Sequence, residues 1–275
     1  MLDTVSKPAG PDFAAIKTKQ HAAWSAGDYA VVGVTLQIVG ETLCEAMDLR
    51  AGQRVLDVAA GNGNCSLAAA RRFCEVTSTD YVQDLLRRAR ERAEAERLPM
   101  DFKLADAEAL PFADGSFDAV TTTFGAMFAP DQDQVAAELL RVCRSGGKIG
   151  MANWTPDSFI GGLFKTLGRY VPPAPGLKSP ALWGTRERIG ELFADAAAIA
   201  AAERHFVLRY RSAEHWIDVW RSIYGPLQKA FDGLDGGKQR LLRTDLIALV
   251  ESLNLATDGT MVVPSKYLEV VVSKK

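Results

Sequence analysis

Three short stretches place chemistry-bearing side chains beside residues that let a chain turn. Asp57-Val58-Ala59-Ala60-Gly61-Asn62-Gly63-Asn64 joins a carboxylate to two glycines. Without a Cβ, Gly61 and Gly63 let backbone approach a ligand closely. Asp80 ends the run EVTSTD, where an acid can accept both hydroxyls of a ribose. Asp106, followed by Ala107, ends the run DFKLAD. A carboxylate and a backbone amide there suit the amino group and ring nitrogen of adenine.

These residues need a scaffold that brings strand ends together. RVLDVAA (54–60) is an apolar run closing on the glycines, and SLAAARRF after it has helical texture. EVTSTD (75–80), a charged helical stretch (82–97), DFKLAD (101–106), FDAVTTTF (117–124), a helix over 132–142 and KIGMAN (148–153) follow in turn. Strand and helix alternating at this spacing predict an α/β fold with a mostly parallel sheet covered by helices on both faces. Such sheets bind ligands outside the carboxyl ends of their strands, where the three motifs fall.

A nicotinamide dehydrogenase also carries a glycine-rich turn, with an acid about 20 residues later. Its pattern is G-x-G-x-x-G, and here Ser66 takes the third glycine's place. Asp57 before the loop, Asp106 after the third strand and the Gly146-Gly147 turn favour S-adenosylmethionine. VLDVAAGNG, Thr79-Asp80, DAEALPF (106–112), SFDAV (116–120) and RVCRSGGKI (141–149) resemble, in order, the class I S-adenosylmethionine-dependent methyltransferases. Within these the likeness is to the group holding the ubiquinone/menaquinone C-methyltransferases, and it spans roughly residues 54–153.

The resemblance implies a seven-stranded Rossmann-like sheet and a set of cofactor contacts. Gly61, Asn62 and Gly63 line the methionine part, Asp80 with Tyr81 the ribose, and Asp106 with Ala107 the adenine. Thr123 sits near the reacting sulfur. Asp57 either satisfies the loop amides or helps bind the cofactor. The sequence departs from the family pattern at Ala59, where a glycine is usual, and at Ser145, where the last turn usually has proline.

Around this core (51–153), residues 1–50 are expected to form an N-terminal helical lid, with a mobile tail over 1–12. Two helical runs there are separated at Gly27-Asp28. Residues 154–275 are expected to supply an irregular cap over 155–185, a helix over 186–198, a strand over 203–210, helices broken at Gly225-Pro226 and Gly233–Gly237, and a closing strand over 266–273. Trp24, Trp154, Phe159 and Trp183 are the candidate acceptor contacts, because aromatic faces attract a sulfonium or an apolar, aromatic acceptor. His21, Tyr29 and His215 are candidate bases, needed only if the acceptor must lose a proton; Lys19 is placed with His21 toward the site.

Bulk properties narrow the partners. Thirty-two Lys and Arg against 34 Asp and Glu leave a formal charge of −2, with no push toward nucleic acid. The basic run Arg87–Arg92 is interleaved with Glu91, Glu94 and Glu96 and reads as a solvated helix face. No apolar stretch approaches the roughly 20 residues of a membrane span. Four scattered cysteines and three histidines predict neither a metal site nor disulfides, and Cys65 lacks a basic partner. The expectation is a cytoplasmic enzyme, a homodimer being possible, that methylates a small molecule at O, C or N. An NAD(P)-dependent oxidoreductase and a non-catalytic S-adenosylmethionine-binding protein are the alternatives.

Overall fold

The computed structural model describes residues 10–275. Of the tail expected over 1–12, residues 1–9 lie outside the described residues. Seven strands form one sheet: β1 (Arg54–Val58), β2 (Glu75–Asp80), β3 (Asp101–Leu104), β4 (Phe117–Thr123), β5 (Cys143–Trp154), β6 (Ala198–Tyr210) and β7 (Met261–Ser273). Their order is β3-β2-β1-β4-β5-β7-β6. Neighbours from β3 to β5 run parallel, whereas β7 is antiparallel to both β5 and β6. The open seven-stranded α/β sheet implied by the resemblance is the one observed.

Val55, Leu56, Asp57 and Val58 of β1 are all buried, as a central parallel strand covered on both faces requires. From β1 the chain winds out to β2 and β3, then returns to place β4 on the other side. The strand order therefore reverses between β1 and β4, and a crevice opens at their carboxyl ends. The helices α4 (Asn64–Ala70), α5 (Gln83–Ala95) and α6 (Gln132–Val142) make the crossovers.

At the N-terminus, α1 (Phe13–Trp24) starts where Asp12 accepts from the Ala15 amide at 3.0 Å. Gly27 then breaks the chain before α2 (Tyr29–Gly33) and α3 (Gln37–Ala46). In the C-terminal part, α9 (Ala213–Ile223), α10 (Gly225–Asp232) and α11 (Gly236–Glu251) are separated at the two glycine-containing breaks read from sequence.

Two expectations fail. The cap over 155–185 is not irregular throughout, because Ser158 caps α7 (Phe159–Tyr170), whose Phe159, Ile160 and Leu163 are buried. Pro172, Pro173 and Pro175 follow that helix rather than interrupting it. The helix expected over 186–198 ends early, as α8 (Arg186–Leu192). The alanine-rich run after it is extended instead, paired with β7 from Ala198↔Ser273 to Tyr210↔Met261. Continuous pairing outweighs alanine's helical preference. Pro264 is tolerated in β7 because β5 has already ended at the Trp154↔Tyr267 pair, so one flank of the strand is unpaired there.

Candidate cofactor cleft and adjoining cavity

The glycine loop is built on a strained turn. Ala59 adopts φ +51°, left-handed despite its Cβ, a conformation costing about 1–2 kcal/mol. The Ala60 amide donates to the Thr79 carbonyl at 2.8 Å and the Gly63 amide to that of Ala60 at 2.9 Å, which holds the turn. Gly125 packs so tightly on it that an added methyl would collide with the Ala59 carbonyl oxygen.

Asp57 supports this loop from behind. It is fully buried and lines no cavity. Its Oδ2 accepts from the Ser66 amide at 2.8 Å and the Ser66 hydroxyl at 2.5 Å, and its Oδ1 from Thr121 at 2.9 Å. Burial pushes its pKa up to about 6 despite these bonds. Of the two roles left open from sequence, the geometry is that of satisfying the loop. Gly63, expected along the methionine part, also lies off the cleft: at φ +82° it starts α4, and a Cβ there would stand 3.0 Å from that of Ala89. Cys65, behind it, is buried 3.8 Å from the Cys44 sulfur, and that contact and burial raise its pKa.

Ala59, Gly61, Asn62, Asp80, Tyr81, Asp106, Ala107 and Thr123 are brought together around one cleft. Asp80 is buried at its base, with Oδ2 accepting from the Gly61 amide at 2.9 Å and Oδ1 from that of Val82 at 2.8 Å. Burial raises its pKa to about 6, against the pull of these amides. Asp106 Oδ1 accepts from the Glu108 amide at 2.9 Å.

Two residues of the cleft wall, Lys17 and Gln20, were missed by sequence reasoning. Lys17 Nζ lies 2.6 Å from both Asp106 Oδ2 and Glu108 Oε2. Burial lowers the Lys17 pKa, but the two carboxylates more than offset this, and the net direction is up. Gln20 donates to the Phe128 carbonyl at 2.8 Å. Lys17, Gln20 and Trp24 stand three and four residues apart, on one helical face. That phase is the missed signal, and it leaves Lys19 and His21 exposed on α1. His21 lies edge-on to Tyr81, 5.4 Å between centroids, but lines neither cavity. In the basic run, Arg87 and Arg88 do pair with acids on the surface. Arg92 instead donates to the Asn62 carbonyl and Asn64 Oδ1, both at 2.7 Å, fastening the loop.

A second cavity of about 500 Å³ adjoins the cleft. Trp24, Tyr29, Leu36, Phe124 and Phe128 line both. Trp154 and His215 line the second cavity alone. Phe159 and Trp183 line neither, correcting their place among the acceptor contacts. Each is fully buried, Phe159 edge-on to Trp216 at 5.1 Å and Trp183 to Phe193 at 6.4 Å. Their side chains are spent on packing, Phe159 holding α7 against α9 and Trp183 the segment before α8 against Phe193 after it.

The cleft has the donors and acceptors for an adenosine-bearing methionine derivative. Each Asp80 oxygen has one backbone donor and further capacity for a ribose hydroxyl. Asn62 Nδ2 is buried without a partner among the described residues. With α1 seated, however, the cleft retains only about 80 Å³, far below the roughly 300–1,000 Å³ of ligand pockets. Lys17, Gln20 and Trp24 of α1 form part of the wall that narrows it.

A parallel β3-β2-β1-β4-β5 core completed by a reversed β7, with acids at the ends of β2 and β3 facing a glycine loop, defines a class I methyltransferase fold. The methyltransferase domain family model matches residues 55–147. An uncharacterized protein of Mycobacterium tuberculosis is 39% identical over 264 residues, covering 94% of this chain and 95% of the relative. The demethylmenaquinone methyltransferase of Renibacterium salmoninarum is 42% identical over 116 residues, 42% of this chain and 46% of that enzyme. The chain belongs to the class I S-adenosylmethionine-dependent methyltransferases.

Solved structures share its fold at low identity. Bacillus subtilis YcgJ has a TM-score of 0.61 at 20% identity, covering 88% of this chain and 99% of YcgJ. The [4+2]-cyclase SpnF has a TM-score of 0.56 at 19% identity, covering 86% and 81%. Among the described residues, no helix is long and apolar enough to cross a membrane.

Proposed function

We propose that this protein binds S-adenosylmethionine in the cleft between the glycine loop and Asp106, and transfers its methyl group to a small molecule held in the adjoining cavity. The observation that carries this reading is Asp80. It is a buried carboxylate, held by two backbone amides at the base of a cleft that shares an aromatic wall with a second, larger cavity.

When bound, S-adenosylmethionine supplies an activated methyl on a sulfonium, so the hard chemistry is the cofactor's. Asp80 would accept the ribose hydroxyls, and Asp106 and Ala107 would meet the adenine. Asn62 and Gly61 would hold the methionine end. The rest of the protein's task is orientation, which can supply on the order of 7–11 kcal/mol. The wall of Trp24, Tyr29, Phe124 and Phe128 limits water at the junction, and Phe124, at φ +57°, is held there in a strained conformation. No carboxylate among the described residues lines the second cavity, and Tyr29 is a protonated phenol at neutral pH, its pKa raised further, to about 12, by burial. His215 is the remaining candidate base beside the acceptor. The near-neutral charge supports a small-molecule acceptor over nucleic acid.

The test is calorimetric titration with S-adenosylhomocysteine, and with NAD and NADP in parallel, followed by incubation of methyl-labelled S-adenosylmethionine with small-molecule extracts. Micromolar binding of S-adenosylhomocysteine alone and label in an extractable product are expected. Binding of a nicotinamide cofactor instead would overturn the cofactor. Tight S-adenosylhomocysteine binding with no transfer to any fraction would leave a non-catalytic binding protein.

A further inference from the structure

The sheet has an open end. β6 is its last strand, paired with β7 over all 13 residues without a register shift, and it contains neither proline nor bulge. Folded chains usually blunt so long an edge, because its unpaired N–H and C=O groups invite another strand.

In an antiparallel pair, successive residues alternately turn their main-chain groups toward the neighbouring strand and away from it. Lys266 and Val262, opposite His205 and Arg209, turn their carbonyls away from β6, to the Thr155 amide at 3.3 Å and the Leu255 amide at 3.0 Å. The odd-numbered residues of β6 therefore turn their own groups outward. Two outward positions are closed within the chain. The Arg186 guanidinium donates to the Ala201 carbonyl at 2.8 Å, and the Arg211 amide, just past the strand, donates to the His215 ring at 3.3 Å. Between them, the outward main-chain groups of Glu203, His205, Val207 and Arg209 have no partner among the described residues. The open window is thus 203–209, centred on Phe206.

The side chains of this window complement themselves. A two-fold axis at Phe206 sets position 203 of each strand opposite position 209 of the other, so each Glu203 meets an Arg209. Both are exposed. Arg209 has no acid partner among the described residues, and Glu203 lies 3.5 Å from Lys266, whose nearer partner is Asp157 at 2.6 Å. The same axis sets the half-buried Phe206 against its own copy, an aromatic cross-strand pair. An axis at the strand's midpoint would instead set Arg204 against Arg204, a like-charge pair.

We propose that β6 is a homodimer edge: a second copy of this chain lays its own β6 antiparallel across 203–209, joining the two sheets through about eight main-chain hydrogen bonds and two Glu203–Arg209 pairs. The proposal does not depend on the methyl-transfer reading. Phe206 to Tyr210 also line the second cavity, so the joined edges make one continuous wall behind two cavities.

The experiment is sedimentation equilibrium of the full chain over a range of micromolar concentrations, with circular dichroism to check folding. A reversible dimer is expected. Glu203→Arg and Arg209→Glu each turn both opposite-charge pairs into like-charge pairs, and each is expected to raise the dimer dissociation constant about tenfold. Combining the two restores the pairs in reverse and is expected to return the constant to within about twofold of its starting value. Val207→Pro removes an outward amide that no bond to β7 uses, and is expected to leave a folded monomer. The charge reversals act on exposed side chains and decide the matter if Val207→Pro does not fold. A chain that stays monomeric overturns the proposal, whether or not another protein or peptide binds the edge. So does a dimer that survives Val207→Pro, that ignores the charge reversals, or that the folded double variant fails to restore, since its contact lies elsewhere.

Discussion

The cleft and the cavity beside it are built in opposite ways. The cleft is made by strand ends and the turns immediately after them, and its polar side chains are locked to backbone: Asp80 to Gly61 and Val82, Asp106 to Glu108. The cavity is made by aromatic side chains from α1, α2, the end of β4, β5, β6 and α9, and its Tyr29 and Tyr224 hydroxyls have no partner among the described residues. A rigid, backbone-held cradle suits a ligand that is the same in every turnover. A wall of side chains can be changed one residue at a time without disturbing the sheet. On the proposed reading, the cofactor half is dictated by the fold, and the acceptor half by which aromatics the surrounding helices present.

The sharpest way to break this comparison is to remove the central carboxylate of the cleft. Asp80→Ala should weaken S-adenosylhomocysteine by at least about 100-fold by calorimetry, the lower end of the worth of two hydrogen bonds to a charged group. Unchanged affinity in a folded variant would remove Asp80 from the proposed cofactor contacts.

Acid offers a graded version of the same test. Protonated Asp80 can no longer accept from both ribose hydroxyls, so S-adenosylhomocysteine affinity should fall as pH drops through about 6, by about tenfold one unit below it. Fold stability should respond with the opposite sign. Asp57 and Asp80 both have folded-state values raised from 3.8 to about 6. The penalty for keeping them ionised is therefore present above about 6 and is relieved as pH falls from there toward 3.8. Titrations and thermal melts between pH 7.5 and 5 check the pair: affinity declining while these two groups no longer oppose folding. Affinity unchanged down to pH 5 would remove Asp80 from the ribose.

The smallest expected effect concerns the lid. Lys17 pairs with Asp106 Oδ2, on the carboxylate proposed to meet the adenine, and on that reading gives way when the cofactor binds. Both partners are about one-third exposed, which limits the ion pair to about 1 kcal/mol. Lys17→Met should therefore strengthen S-adenosylhomocysteine binding by up to about fivefold. A weakened complex would mean that Lys17 holds the lid shut over the bound cofactor rather than guarding the empty cleft.

How much was legible beforehand follows the same division. The order of strands and crossover helices through residue 154, the breaks flanking α10 and the closing strand were readable because alternation and turn residues are local signals. The acids of the cleft were readable for the same reason, since Asp80 and Asp106 each end a β-branched or apolar run. α7 was hidden by the prolines clustered after it, and the first half of β6 by alanines whose preference is overridden by pairing with β7. Lys17 was invisible because its meaning depends on where α1 lies. Phe159 and Trp183 looked like ligand contacts because an aromatic residue has the same letters in a core as in a cavity.

By itself, then, the sequence determined the sheet, the glycine turn and the acids around it, because strand ends and turns are set by neighbours in the chain. Only the tertiary structure decided that Asp57 and Gly63 stand behind the turn, that Lys17 rather than Lys19 reaches the cleft, and that Tyr29 and Tyr224 meet. Those relations join segments far apart in sequence. They arise from the burial of apolar faces, which is non-directional and leaves no local mark on the residues it brings together.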